Sequence, residues 1–209
     1  MVKLMKTKKK DEAASEKILE AARKVFLTKG LDGARMQDIA DEAGMNKALL
    51  HYYYSSKEKL FEMIFMEEAK KFFPKINMIF ESSLPLFEKI EKFAGEYIDE
   101  ILENPYLPVF VITEINKAPD KFLAKIWGKN NLPRPQKFLE QIEKEVKKGN
   151  IKPISPLHLL LNILSMCVFP FMAKPMLMRN IGLDELQFRL LMEQRKQEIP
   201  KFIISSIKK

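Results

Sequence analysis

Lys47, His51 and Tyr52 place an ammonium, an imidazole and a phenol on one short stretch of chain, with Ala48 and Leu49 between them. These groups donate hydrogen bonds, and such donors side by side suit phosphate oxygens and base edges better than bond-making chemistry. A lysine reaches guanine O6 and N7 or a phosphate, and a small or apolar neighbour such as Ala48 or Leu49 allows contact with a thymine methyl. Little else in the chain offers reactivity. The histidines are His51 and His158 alone, and the one cysteine is Cys167. No glycine-rich phosphate loop or H-x-x-x-H pair is present. His158 and Asn162 share a helix face at i, i+4 but have no nearby Cys, Asp or Glu to complete a metal set. The chain reads as non-enzymatic, with no metal and no cofactor.

The donors must be held by short helices. Met36, Ile39, Ala40 and Ala43 recur at i, i+3, i+4 and i+7, one apolar helical face that has to stop at Gly44. Gly44 supplies a turn backbone that a Cβ resists, Met45 is an apolar plug, and Asn46 is a good N-cap for the next helix. That helix, Lys47 to Tyr53, sets Leu49, Leu50 and Tyr53 at helical spacing and leaves Lys47, Ala48, His51 and Tyr52 largely on the other side. Helix, glycine turn, helix is the pattern whose second member enters a DNA major groove. Tyr53 and Tyr54 are expected to pack beneath it.

The run Ile18-Leu19-Glu20-Ala21-Ala22, then Phe26, Lys29-Gly30, Ile39-Ala40, Ala43-Gly44, Leu50 to Tyr54 and Ser56 to Leu60 resembles the N-terminal domain of TetR-family transcriptional regulators. The likeness covers roughly residues 15–65, with spacing and residue type agreeing over three successive helices. It implies a dimeric, ligand-responsive regulator, most simply a repressor that binds a palindromic double-stranded operator and is released by a small apolar or amphipathic effector. It also implies Lys47, Ala48, Leu49, His51 and Tyr52 as DNA contacts and Lys57 as a phosphate clamp at the start of helix 4. Arg35 and Gln37 are further contacts at the start of helix 2. The chain departs from the pattern at Leu49, where many relatives carry Thr, and at Gly33-Ala34-Arg35, which lacks their capping hydroxyl. Arg35 is expected to take over the phosphate contact. A different class of reading is a helical interaction or membrane-surface protein whose head no longer binds DNA.

Composition agrees with an all-α chain. Of 209 residues 46% are apolar and 31% charged, a globular balance, with seven glycines and no alternating apolar–polar runs. The single cysteine excludes an internal disulfide and fits a reducing cytoplasm. A net charge of +8 permits a nucleic-acid partner. Its distribution is uneven: Lys3, Lys6, Lys8, Lys9 and Lys10 face no acid in the first ten residues, whereas residues 11–60 are close to neutral. The apolar span Pro156 to Met178 is long enough for a membrane, but His158, Asn162, Ser165, Lys174 and two prolines interrupt it. A buried helix, and no membrane partner, is the expectation.

About nine helices follow from the start and stop signals. Residues 1–10 read as a flexible basic arm, 11–56 as the helix-turn-helix domain, and 57–209 as an effector-binding and dimerisation body. Helix 4, from Lys57, connects the two and is kinked or ended by Pro74, and single helices are expected at 156–178 and 184–207. Met and Phe suit an adaptable apolar pocket, which the family resemblance also implies, and Phe73, Phe110, Glu114, Trp127, Met166 and Phe169 are its candidates. The last two helices carry more apolar surface than one chain covers. Leu160, Ile163, Leu164, Cys167, Leu186, Leu190 and Phe202 are therefore the candidates for a two-fold four-helix interface in a homodimer.

Overall fold

The computed structural model describes the backbone of residues 2–127 and 133–209, and their side chains except at 2–10, 12, 123 and 125–127. Trp127 thus lies outside the described side chains. Among the described residues eleven helices run in order: α1 Val2–Gly33, α2 Met36–Glu42, α3 Lys47–Tyr53, α4 Lys57–Glu81, α5 Leu86–Glu103, α6 Leu107–Lys117, α7 Pro119–Trp127, α8 Gln136–Lys147, α9 Pro156–Met172, α10 Lys174–Ile181 and α11 Glu185–Ile207. Among the described residues there is no strand; one isolated bridge joins Ile151 and Lys208. The all-α expectation holds. One of the helices beyond the expected nine arises because the span read as 156–178 is two helices, α9 and α10, bent by 67°. Pro170 is carried inside α9, and the break falls instead just before Pro175, whose ring and missing N–H prevent α9 from continuing. No single described helix is long and apolar enough to cross a membrane; this bent pair passes only as a pair.

The chain divides into two compact units, Met1–Ala69 and Lys70–Lys209, with the division inside α4 rather than at its first residue. In the first unit Ile18, Ala22 and Phe26 of α1, Ile39 and Ala40 of α2, Leu50 of α3, and Leu60, Phe61 and Ile64 of α4 form the core. Phe26 meets Phe61 edge-on at 5.0 Å. Arg23 spreads its guanidinium over Glu67 at 2.8 Å and the buried Glu68 at 2.6 Å, tying α1 to α4. Helix α1 starts at Val2 and takes in the run read as a basic arm. Lys, Leu and Met are good helix formers, and neither Gly nor Pro interrupts them. Its far end is broken at Gly30, whose φ of 67° is a conformation that favours glycine.

The second unit packs around α5. Ile90, Phe93, Ala94, Ile98 and Ile101 on one α5 face meet Phe72, Ile76 and Phe80 of α4, Phe138 and Ile142 of α8, Leu159 and Ile163 of α9, and Met192, Ile199 and Ile203 of α11. Lys196 of α11 pairs with Asp99 of α5. Helix α4 runs through Pro74 to Glu81, and Ile76 and Phe80 beyond the proline are core residues, so burial of the last turns outweighs the lost hydrogen bond. Lys89, itself buried, caps that helix by donating from Nζ to the Phe80 carbonyl at 3.0 Å, and burial pushes its pKa down.

Candidate nucleic-acid interface

The α2–α3 turn is closed by its own backbone. Met45 N–H donates to the Ala40 carbonyl and Gly44 N–H to that of Asp41, both at 3.0 Å, which is a Schellman ending with Gly44 at φ 62°. Gly44→Ala finds ordinary space for its Cβ, so its cost is the backbone alone. A loss of about 1–2 kcal/mol in head stability is expected; a melting curve unchanged from the parent would show that the turn tolerates a side chain.

At the start of α3 the Asn46 Oδ1 accepts from Leu49 N–H at 2.7 Å. Leu50 then buries completely and fixes the rotation of this two-turn helix. Beneath it Tyr53 donates to Asp11 Oδ1 at 3.0 Å, a bond that holds the phenol proton above its usual range, and the Tyr54 and Ser15 hydroxyls share a 2.6 Å hydrogen bond. Both tyrosines are thus anchors. With those positions held, Lys47, Ala48, Leu49, His51 and Tyr52 are all exposed on one continuous surface, Tyr52 at 79%. Leu49 joins this outer side, not the Leu50 side where helical spacing placed it.

The entry of α2 uses a different cap from a serine or threonine. Asp38, three residues on, accepts from Arg35 N–H at 3.0 Å and pairs with Lys29 at 2.8 Å, and the Lys29 bond is the main cause of its lowered pKa. The Arg35 side chain is exposed; Gln37 is exposed as well and donates to Asp41 Oδ1 at 2.7 Å. Lys57 is placed otherwise than as a phosphate clamp. Its three ammonium donors go to the carbonyls of Leu31, Asp32 and Ala34 at 2.8, 3.1 and 3.0 Å. It therefore closes the frayed end of α1 onto the start of α4, a role that long-range pairing hides from sequence. Lys57→Met should lower head stability by about 2 kcal/mol and leave the salt dependence of DNA binding unaltered. A slope that flattens by about one unit would restore the phosphate role.

This head is one that known proteins share. The family described as bacterial regulatory proteins, tetR family, matches residues 18–64. Among curated proteins the chain is 28% identical over 137 residues to the Staphylococcus aureus biofilm operon icaADBC HTH-type negative transcriptional regulator IcaR, covering 64% of this chain and 67% of that one. It is likewise 28% identical over 139 residues to the Bacillus subtilis HTH-type transcriptional regulator YhgD, covering 66% and 72%. The N-terminal head is thus similar to that of TetR-family transcriptional regulators. The fold continues past the matched head. The ketosteroid transcriptional regulator KstR2 of Mycobacterium tuberculosis superposes with TM-score 0.68 over 93% of this chain and 95% of its own, at 17% identity. The TetR-family regulator PfmR of Thermus thermophilus superposes with TM-score 0.61 over 88% and 97%, at 20% identity. At these identities the two structures speak for the fold. The relatives are regulators of transcription and not enzymes.

In the C-terminal unit the candidate pocket residues scatter. Phe110 packs on Phe122 at 6.1 Å, Phe73 lies beside Phe72 at 5.8 Å, and Glu114 pairs with Lys117 at 3.3 Å. Met166 and Phe169 alone line one cleft together, with Arg195, which periodicity did not single out. Among the dimerisation candidates, Leu160, Ile163 and Cys167 are corrected: all three are buried in the chain's own core, and Leu164 packs against it. Burial also pushes the Cys167 thiol up to about 12. Leu186, Leu190 and Phe202 are exposed, as are Leu157 and Leu161 of α9, which the sequence reading passed over.

Proposed function

We propose that the chain is a repressor that binds a palindromic operator as a homodimer and lets go when a small apolar or amphipathic effector occupies its body. The observation that carries this reading is the outer surface of α3. Lys47, Ala48, Leu49, His51 and Tyr52 stand exposed together while Leu50, Tyr53 and Tyr54 are held from behind, which is how a recognition helix is offered to a major groove. Repression is favoured by the similarity to IcaR, a negative regulator. A homodimer is favoured by the leucines left uncovered on α9 and α11, and it supplies the two-fold symmetry a palindrome needs. A cytoplasmic location goes with this reading, since that is where an operator on chromosomal DNA is met.

Effector control needs no contact with the head. Two recognition helices bind together only when about 34–36 Å apart or a multiple of that. Helix α4 passes through both units, so a ligand in the body that tilts it changes this spacing. The effector must then bind the DNA-free arrangement better, and DNA must weaken effector binding by the same factor. Fluorescence anisotropy with duplexes from the region upstream of its own gene, over a salt series, tests the reading. One duplex should outcompete random DNA at physiological salt, and Lys47→Ala should lower its affinity by about 1–3 kcal/mol. If no duplex outcompetes random DNA, the chain is no repressor of that region; if Lys47→Ala binds as the parent does, the reading surface lies elsewhere.

A further inference from the structure

Helices α9, α10 and α11 enclose an open apolar cleft of about 490 Å³, lined by Met166, Phe169, Leu177, Ile181 and Leu191 together with Arg195. Its volume falls in the range of roughly 300–1,000 Å³ typical of small-molecule sites. Arg195 is the one charged residue of the lining. Its Nη2 donates to the Met166 carbonyl at 2.8 Å, which fixes the guanidinium in place. Its Nε–H is buried and has no partner, and no described carboxylate forms an ion pair with it. The lining hydroxyl, Ser165, already donates to the Asn162 carbonyl at 3.1 Å. A buried donor on a fixed cation is costly to leave unpaired, and polar atoms of this kind are almost always satisfied in a working state. The chain thus presents an apolar trough whose one cation has no described carboxylate beside it.

We propose that this cleft binds an amphipathic carboxylate, its apolar body against Phe169, Ile181 and Leu191 and its carboxylate on the Arg195 guanidinium. This rests on the ligand response proposed above and names the class of the effector. A carboxylate suits the site because two coplanar oxygens match the planar guanidinium edge, and one negative charge balances the one positive charge present. Met166, Phe169 and Leu191 supply adaptable apolar area without further polar selection, so the head group sets the class and the tail can vary.

Titration calorimetry of the full chain, free of DNA, with dodecanoate and with dodecan-1-ol separates the two contributions. The acid should bind saturably and about ten- to a hundredfold more tightly than the alcohol. Arg195→Met should bring the acid down to the alcohol's affinity and leave the alcohol unchanged, while Arg195→Lys keeps most of the preference. Ile181→Trp, at an exposed position whose replacement does not endanger the fold, should weaken both probes. Arg195→Met keeping the parent's preference overturns the proposal, as does Ile181→Trp without effect on either probe. Absence of saturable binding overturns it too, and is the result expected if a second copy of this chain fills the cleft. Because DNA is absent from this assay, a chain that binds its operator but not dodecanoate refutes the cleft and leaves the repressor reading intact. Dodecanoate binding without any preferred duplex refutes only the latter.

Discussion

Phe80→Ala lowers the stability of the C-terminal unit by about 3–5 kcal/mol. Phe80 is almost fully buried and stacks between Phe93 and Phe138, with both ring centroids at 5.1 Å and interplanar angles of 24° and 19°. Three helices therefore meet on one ring: α4, α5 and α8. Its removal takes away the buried area of a phenyl group and leaves a cavity between two rings that cannot collapse without moving their helices. The Lys89 cap survives, since it uses the Phe80 main-chain carbonyl, so the loss reads packing and not a stranded cation. Phe80→Leu refills part of the space and should cost well under half as much. Because the chain has two units, the transition has to be followed by a probe of the C-terminal one, such as hydrogen exchange at Phe93 and Ile142. A loss below about 1 kcal/mol there would mean that the stack is not the keystone its geometry implies.

How far sequence reached depends on how local the deciding contact is. The turn between α2 and α3 was legible because Gly44, Met45 and Asn46 each act within five residues, by a left-handed backbone and a side-chain cap. The exposed side of α3 was legible except at Leu49, where two helical turns are too short for periodicity to separate inside from outside. The capping contacts of Lys57 were not legible because its partners, Leu31, Asp32 and Ala34, lie more than twenty positions away and are carbonyls, which carry no side-chain signature. Pro74 and Pro170 show the limit of breaker rules: each is tolerated where core residues flank it on both sides, while Pro175 ends a helix. Helix α9 posed a different difficulty. It is apolar nearly all round, so the list of its leucines could not say which stripe its own chain covers. Burial alone separates Leu160, Ile163 and Cys167, inside, from Leu157 and Leu161, outside.

That outer stripe decides the second large effect. The double variant Leu161→Glu with Leu190→Glu should remain helical, have the mass of one chain at micromolar concentration, and lose at least a hundredfold in operator affinity. Leu161 and Leu190 are 51% and 53% exposed, each on the side of its helix away from core residues such as Ile163 and Met192. Leu157 at 56% and Leu186 at 66% extend the same two faces. So much exposed leucine on neighbouring helices is the mark of an unfilled interface, and covering one such side chain contributes about 1.5–3 kcal/mol. In the proposed homodimer two-fold symmetry doubles each substitution, so four carboxylates would enter an interface built from apolar contacts, and each must be desolvated or must keep the helices apart. The intramolecular core is untouched, which is why the circular dichroism of the variant should match the parent's. Operator affinity falls because one head alone loses the raised effective concentration that the second head enjoys once the first is bound. Affinity for random DNA should fall less, since phosphate contacts made by a single head remain. A double variant that still sediments as a dimer would place the interface on another face; a parent chain that sediments as a monomer would remove the basis for a palindromic site.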